Sequence, residues 1–164
     1  MLDPGEVSVA HHVAAQRAFV NGAAGVQDQR ADCGSLGTAA DLDLIGVVGE
    51  LAFAKWQGIF PDLTAFPRAG TPDYTIGGWT WDVKATKHAG GELICPLSAK
   101  ADAQLYALAI VQATGQFSFV VRFPGWATRD ELIRPERISN DPKFRTRCYA
   151  IPQAELRGWK EAVA

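Results

Sequence analysis

"PDYTIGGWTWDVKAT", residues 72–86, is the stretch on which the reading of this chain turns. Gly77-Gly78 between two strand-like runs is a two-residue hairpin signal, because such turns need positive φ. In Thr80-Trp81-Asp82-Val83-Lys84-Ala85-Thr86, polar and apolar residues alternate. Strand side chains alternate faces, so Thr80, Asp82, Lys84 and Thr86 share one face, and Trp81, Val83 and Ala85 the other. A symmetric hairpin pairs Ile76 with Trp79, Thr75 with Thr80, Tyr74 with Trp81 and Asp73 with Asp82; a bulge would break that register. Carboxylates opposed at about 4.5–5.5 Å repel each other. A hard cation relieves the repulsion, and Mg²⁺ is usually held by one or two carboxylates plus substrate phosphate. The bland alternative is a solvated sheet face on which Lys84 neutralises one aspartate.

Upstream, "LDLIGVVGELAFAKWQ", residues 42–57, is apolar nearly all round, which marks a central helix. Asp41 stands where an N-cap would, and Gly58 and Pro61 follow the end. Glu50 lies inside this run, with Val47, Phe53, Gly46 and Ala54 at helical neighbour positions. A carboxylate on such a surface needs a partner. A cation beside Glu50 supplies one; so do the helix dipole or Lys55. An earlier helix is expected over about 7–23, and a loop rich in Gly and Asp over 25–41. Downstream, "ELICPL" (92–97), "QLYALAIVQAT" (104–114) and "QFSFVVRF" (116–123) read as strands, although alanines leave a helical turn open in the second. Thr128 and Glu131 form a capping-box pattern before a short helix, and a final helical turn or two is expected from Gln153.

The chain has 164 residues, enough for one α/β domain with a mixed sheet. No apolar run approaches a membrane span, and the first residues lack a signal peptide's basic start. A soluble cytoplasmic protein is expected. Cys33, Cys95 and Cys148 have no metal-site spacing and read as free thiols. Residues 1–82 hold four Lys and Arg against ten Asp and Glu; residues 83–164 hold twelve against eight. That asymmetry suits a phosphate-binding face beside a cation site, and equally a solvated surface with no partner. His11 and His12 are adjacent on a helix, about 100° apart, and make poor joint ligands. The five tryptophans fit core or interface positions better than base-stacking platforms.

A helix bearing Glu50, then Pro72-Asp73, then Asp82-Val83-Lys84 resembles the PD-(D/E)XK nuclease superfamily, whose shape is the restriction-endonuclease-like fold. "GWATRDELI" (125–133) and "CYAIPQAEL" (148–156) are similar to the ends of uncharacterised bacterial and phage proteins with this core. The resemblance implies a central mixed β-sheet flanked by helices, in the order αβββαβ, over about 41–123, with 124–164 as an extension. It implies Asp73 and Asp82 as ligands of Mg²⁺ or Mn²⁺, with the carbonyl of Val83 as a further ligand and Glu50 binding directly or through water. Lys84 would orient the attacking water and stabilise charge on the scissile phosphate. The implied activity is metal-dependent hydrolysis of phosphodiesters in nucleic acid, DNA by expectation, with a homodimer suggested by analogy. The same fold also accommodates a catalytically inactive nucleic-acid-binding or scaffold protein. Two departures stand out: "SAKADA" (98–103) is too short for a full second helix, and no Gln-x-x-x-Tyr pattern follows Gln104.

Overall fold

The computed structural model describes residues 1–24, 39–65, 71–97, 103–115, 117–144 and 147–160. Two sequence features fall largely outside these: the loop expected over 25–41, with Cys33, and the polar run 98–103. Helix α1 spans Pro4–Ala23 and opens three residues before the expected start. A capping box explains this. Asp3 accepts from the Glu6 amide while the Glu6 side chain accepts from the Asp3 amide. Helix α2 spans Ala39–Gln57, so Asp41 lies in its first turn and is not the N-cap.

The diglycine turn forms as expected. Gly77 and Gly78 have φ of 61° and 85°, a region other residues enter only at a cost. Strands β1 (Tyr74–Ile76) and β2 (Trp79–Thr86) pair in the anticipated register, Tyr74 to Trp81 through Ile76 to Trp79. Strand β3 (Leu93–Pro96) follows, then β4 (Leu105–Gly115) and β5 (Ser118–Thr128). The principal sheet has the order β1-β2-β4-β5, with β2 and β4 parallel and the other pairs antiparallel. Beyond β5 come α3 (Arg129–Leu132), a 3₁₀ turn Pro135–Arg137, β6 (Ile138–Ser139), β7 (Cys148–Ile151) and a 3₁₀ turn Gln153–Glu155. The Thr128 capping box is present at α3. Strands β3, β7 and β6 make a second, small sheet.

Strand β4 is buried from Leu105 through Val111, as a central strand covered on both faces must be. Its helical alternative is thereby settled. On one face, Trp81, Val83, Leu105, Ala107, Ala109 and Val111 pack with α1 and α2. On the other, Tyr106, Leu108 and Ile110 join Leu93, Cys95, Leu132 and Ile151. Strand β5 runs five residues beyond the expected Phe123, through Pro124. A register shift between Leu108 and Ile110 sets Phe123 and Pro124 against Ala109, so proline falls where the ladder is already broken.

The mixed α/β class and the mixed sheet agree with expectation. The αβββαβ order does not hold among the described residues. Among its described residues the crossover from β2 to β4 carries β3 and no helix, and residues 58–65 and 71–73 ahead of the hairpin contain no strand. The short polar run that argued against a crossover helix lies largely outside the described residues, and β3 ahead of it feeds the second sheet.

Helix α2 lies close on the sheet because Gly49 faces Ala85 and Ala109. A Cβ at Gly49 would stand 2.8 Å from that of Ala85 and 3.3 Å from that of Ala109. At Gly46, one turn away, it would meet nothing within 4 Å. Gly49→Ala is therefore expected to lower stability by about 1–2 kcal/mol, overpacking outweighing the helix-propensity gain. Gly46→Ala should raise it by about 0.5–1 kcal/mol. Urea unfolding of the two variants checks both signs.

Candidate active site

The sheet edge where β1 begins is shaped by Asp73. Its amide donates to the Trp81 carbonyl at 2.9 Å. In the register of the hairpin that amide would meet residue 82, so the ladder slips by one residue at Asp73. The slip corrects the expected face-to-face pair: Asp73 is not opposed to Asp82 within the ladder, which ends at Tyr74 and Trp81. Instead the Asp73 side chain takes over as acceptor. Its Oδ2 receives the Val83 N–H at 2.7 Å. A short carboxylate bond to a backbone amide is of the charge-assisted kind.

Asp82 and Lys84 lie on β2 as alternation requires. They share the face that carries Tyr106 and Leu108, their register partners on β4. The Lys84 Nζ stands 2.6 Å from Asp82 Oδ2, so the neutralising pair foreseen on this face exists. Burial works to lower the Lys84 pKa, but the charge and hydrogen bond of Asp82, with Asp73 adding to them, outweigh it and raise it. Cys95 of β3 belongs to the same neighbourhood. Burial raises its thiol pKa, and the positive charges of Lys84 and Arg129 oppose that rise.

Glu50 projects from the opposite layer, α2. Its carboxylate is held by Arg17 of α1, whose Nη1 donates to both oxygens at 3.1 and 2.9 Å. This pair is well shielded, with 14% and 13% of the two side chains exposed. Arg17 also donates to the carbonyls of Asp62 and Thr64, so one guanidinium fastens α1, α2 and the segment after α2 together. Lys55, the partner considered from sequence, pairs with Glu6 instead. Arg17 was missed, although it is the only charged residue between Val7 and Ala23. The Tyr74 hydroxyl donates to the Glu50 carbonyl at 3.0 Å, fixing β1 against α2.

Asp73 stands between these two groups. Loss of solvent, the charge of Glu50 and the charge of Asp82 together push its pKa well above the ordinary carboxylate value; the Val83 amide and Lys84 oppose the rise. The structure thus brings Asp73 into the electrostatic field of Glu50 from one side and of Asp82 and Lys84 from the other. Among the described residues, no group of three or more His, Cys, Asp or Glu is gathered as a metal-holding cluster. Asp73 also lines an open cleft of about 660 Å³ between β1 and the segment after α2. His11 and His12 are exposed on α1. Trp81 and Trp126 are core residues, whereas Trp56 is 48% exposed and stacks on Phe123.

No family model, curated protein or solved structure matches this chain.

Two outcomes follow from the charges. Arg17→Gln should cost about 1–3 kcal/mol in urea unfolding, because it leaves a shielded carboxylate short of its partner. Asp73 binds its proton more tightly folded than unfolded, so it contributes no penalty below the unfolded pKa near 3.8. The penalty grows as pH rises from there through the folded pKa. Asp73→Asn keeps an acceptor for Val83. It should stabilise the metal-free protein at neutral pH, with the gain vanishing toward acid; unfolding midpoints across pH read this directly.

Proposed function

We propose that this chain is a metal-dependent nuclease of the PD-(D/E)XK type, hydrolysing phosphodiester bonds, with DNA as substrate. The observation that carries the reading is Asp73. It is a half-buried carboxylate whose acidity is weakened first by loss of solvent and then by Glu50 and Asp82, at an edge where Lys84 supplies a positive charge. Like charges collected in this way are stabilised by a divalent cation. Asp73 and Asp82 would hold Mg²⁺ or Mn²⁺. Val83 would add its carbonyl, since the N–H and C=O of one strand residue project to the same side and its N–H already faces Asp73. Glu50, already paired with Arg17, would act through water. A bound divalent ion supplies Lewis-acid polarisation of the phosphate and a more acidic water.

The chain's own residues would perform the remaining tasks. Lys84, kept protonated beside Asp82, offers an ammonium to the scissile phosphate and to the attacking water. Asp73 is fixed through the Val83 amide, so its carboxylate has a set direction. Arg17 holds Glu50 and the α2 layer against the edge.

A second reading is a nucleic-acid-binding or scaffold protein with the same shape and no catalysis. The two ion pairs favour it, because Arg17 and Lys84 already answer Glu50 and Asp82 without any metal. Localisation in the cytoplasm and a homodimer belong with either reading; the absence of any helix long and apolar enough to cross a membrane among the described residues is compatible with both.

Mg²⁺-dependent cleavage of DNA is expected. Asp82→Ala should abolish it, and Lys84→Ala should reduce kcat by about 10²–10³-fold, with unchanged circular dichroism. Calorimetric titration with Mn²⁺ should show binding to the wild type and its loss in Asp73→Asn. Metal binding without cleavage of any nucleic acid would support the inactive reading; cleavage that survives Asp82→Ala would sink the catalytic one.

A further inference from the structure

We infer that the cleft beside Asp73 receives an unpaired nucleobase, so that the strand cut at the sheet edge is single-stranded or frayed and not an intact duplex. The inference rests on the nuclease reading above and specifies its substrate. Three observations support it. The cleft, about 660 Å³, has the size of a pocket for a nucleotide-scale ligand. Its lining includes Phe60, a residue 85% exposed, next to Pro61 and to Leu63, itself 37% exposed. An aromatic ring left this far in water next to other apolar side chains is a ready face for base stacking, which is open only to a base outside a duplex.

The wall chemistry selects the base over the phosphate. Asp62 and Asp73 line the cleft, and the Asp62 Oδ1 receives the Thr64 amide at 2.9 Å. Carboxylates repel a phosphate but accept from the amino and imino edges of guanine, adenine and cytosine. A phosphate belongs instead beside Lys84, whose charge Asp73 also feels. Asp73 is common to both places. A nucleotide with its base against Phe60 therefore carries its own backbone toward the acidic edge.

The test is fluorescence anisotropy with a labelled single-stranded oligodeoxynucleotide and its duplex, in Ca²⁺, for wild type, Phe60→Ala and Phe60→Tyr. Thermal midpoints verify the fold of the variants. Wild type should prefer the single strand. Phe60→Ala should weaken single-strand binding by about 5- to 150-fold and duplex binding by less than about twofold, while Phe60→Tyr retains both. Equal loss on both forms, no loss, or no binding of the single strand would overturn the inference. Cleavage assays in Mg²⁺ separate the two levels. If Asp82→Ala still cleaves, the nuclease reading fails whatever Phe60 does; if Asp82→Ala is dead and Phe60→Ala discriminates nothing, only the cleft inference fails.

Discussion

The bond from the Val83 amide to the Asp73 carboxylate fixes the rest of the site. It ends the β1–β2 ladder with a side chain in place of a backbone carbonyl. That substitution holds a charged group at the sheet edge, where α2 approaches from one face and the polar side of β2 from the other. The diglycine turn sets the register that delivers Asp73 there. The Gly49 contact and the Tyr74 hydroxyl hold α2, and with it Glu50, close enough to be felt. A helix standing farther off the sheet would leave Asp73 with one acidic neighbour, an ordinary surface arrangement.

Charge balance then decides what the edge is suited for. Among the described residues, Asp73 feels the charges of Glu50 and Asp82, and each of these has a basic partner, Arg17 for Glu50 and Lys84 for Asp82. These pairs explain how the fold tolerates such a concentration of charge without a ligand. Asp73 lies in the field of both pairs, with its carboxylate bonded to the Val83 amide.

Much of this was legible in the sequence for identifiable reasons. Alternation over residues 80–86 and Gly77-Gly78 are local signals, and both strand face and hairpin register followed from them. The capping pattern at Thr128 is equally local. What failed depended on contacts distant in sequence or on departures from regularity. The slip at Asp73 leaves no mark in residue type, because any residue can donate its amide one position out of register. Arg17 lies 33 residues from Glu50, and nothing in one helix announces which acid of another it will meet. The crossover differed from the αβββαβ order because β3 found its partners in β7, a strand more than fifty residues later. The early start of α1 was readable, since Asp3 and Glu6 have capping-box spacing.

The most direct measurement is the titration of the Asp73 carboxyl carbon by NMR, with and without Mg²⁺. In the metal-free protein its midpoint should lie well above that of a solvent-exposed aspartate. Mg²⁺ should bring it down sharply and leave the exposed aspartate Asp141 where it was. An Asp73 midpoint at the ordinary carboxylate value, or one that Mg²⁺ does not move, would contradict a cation site at this edge.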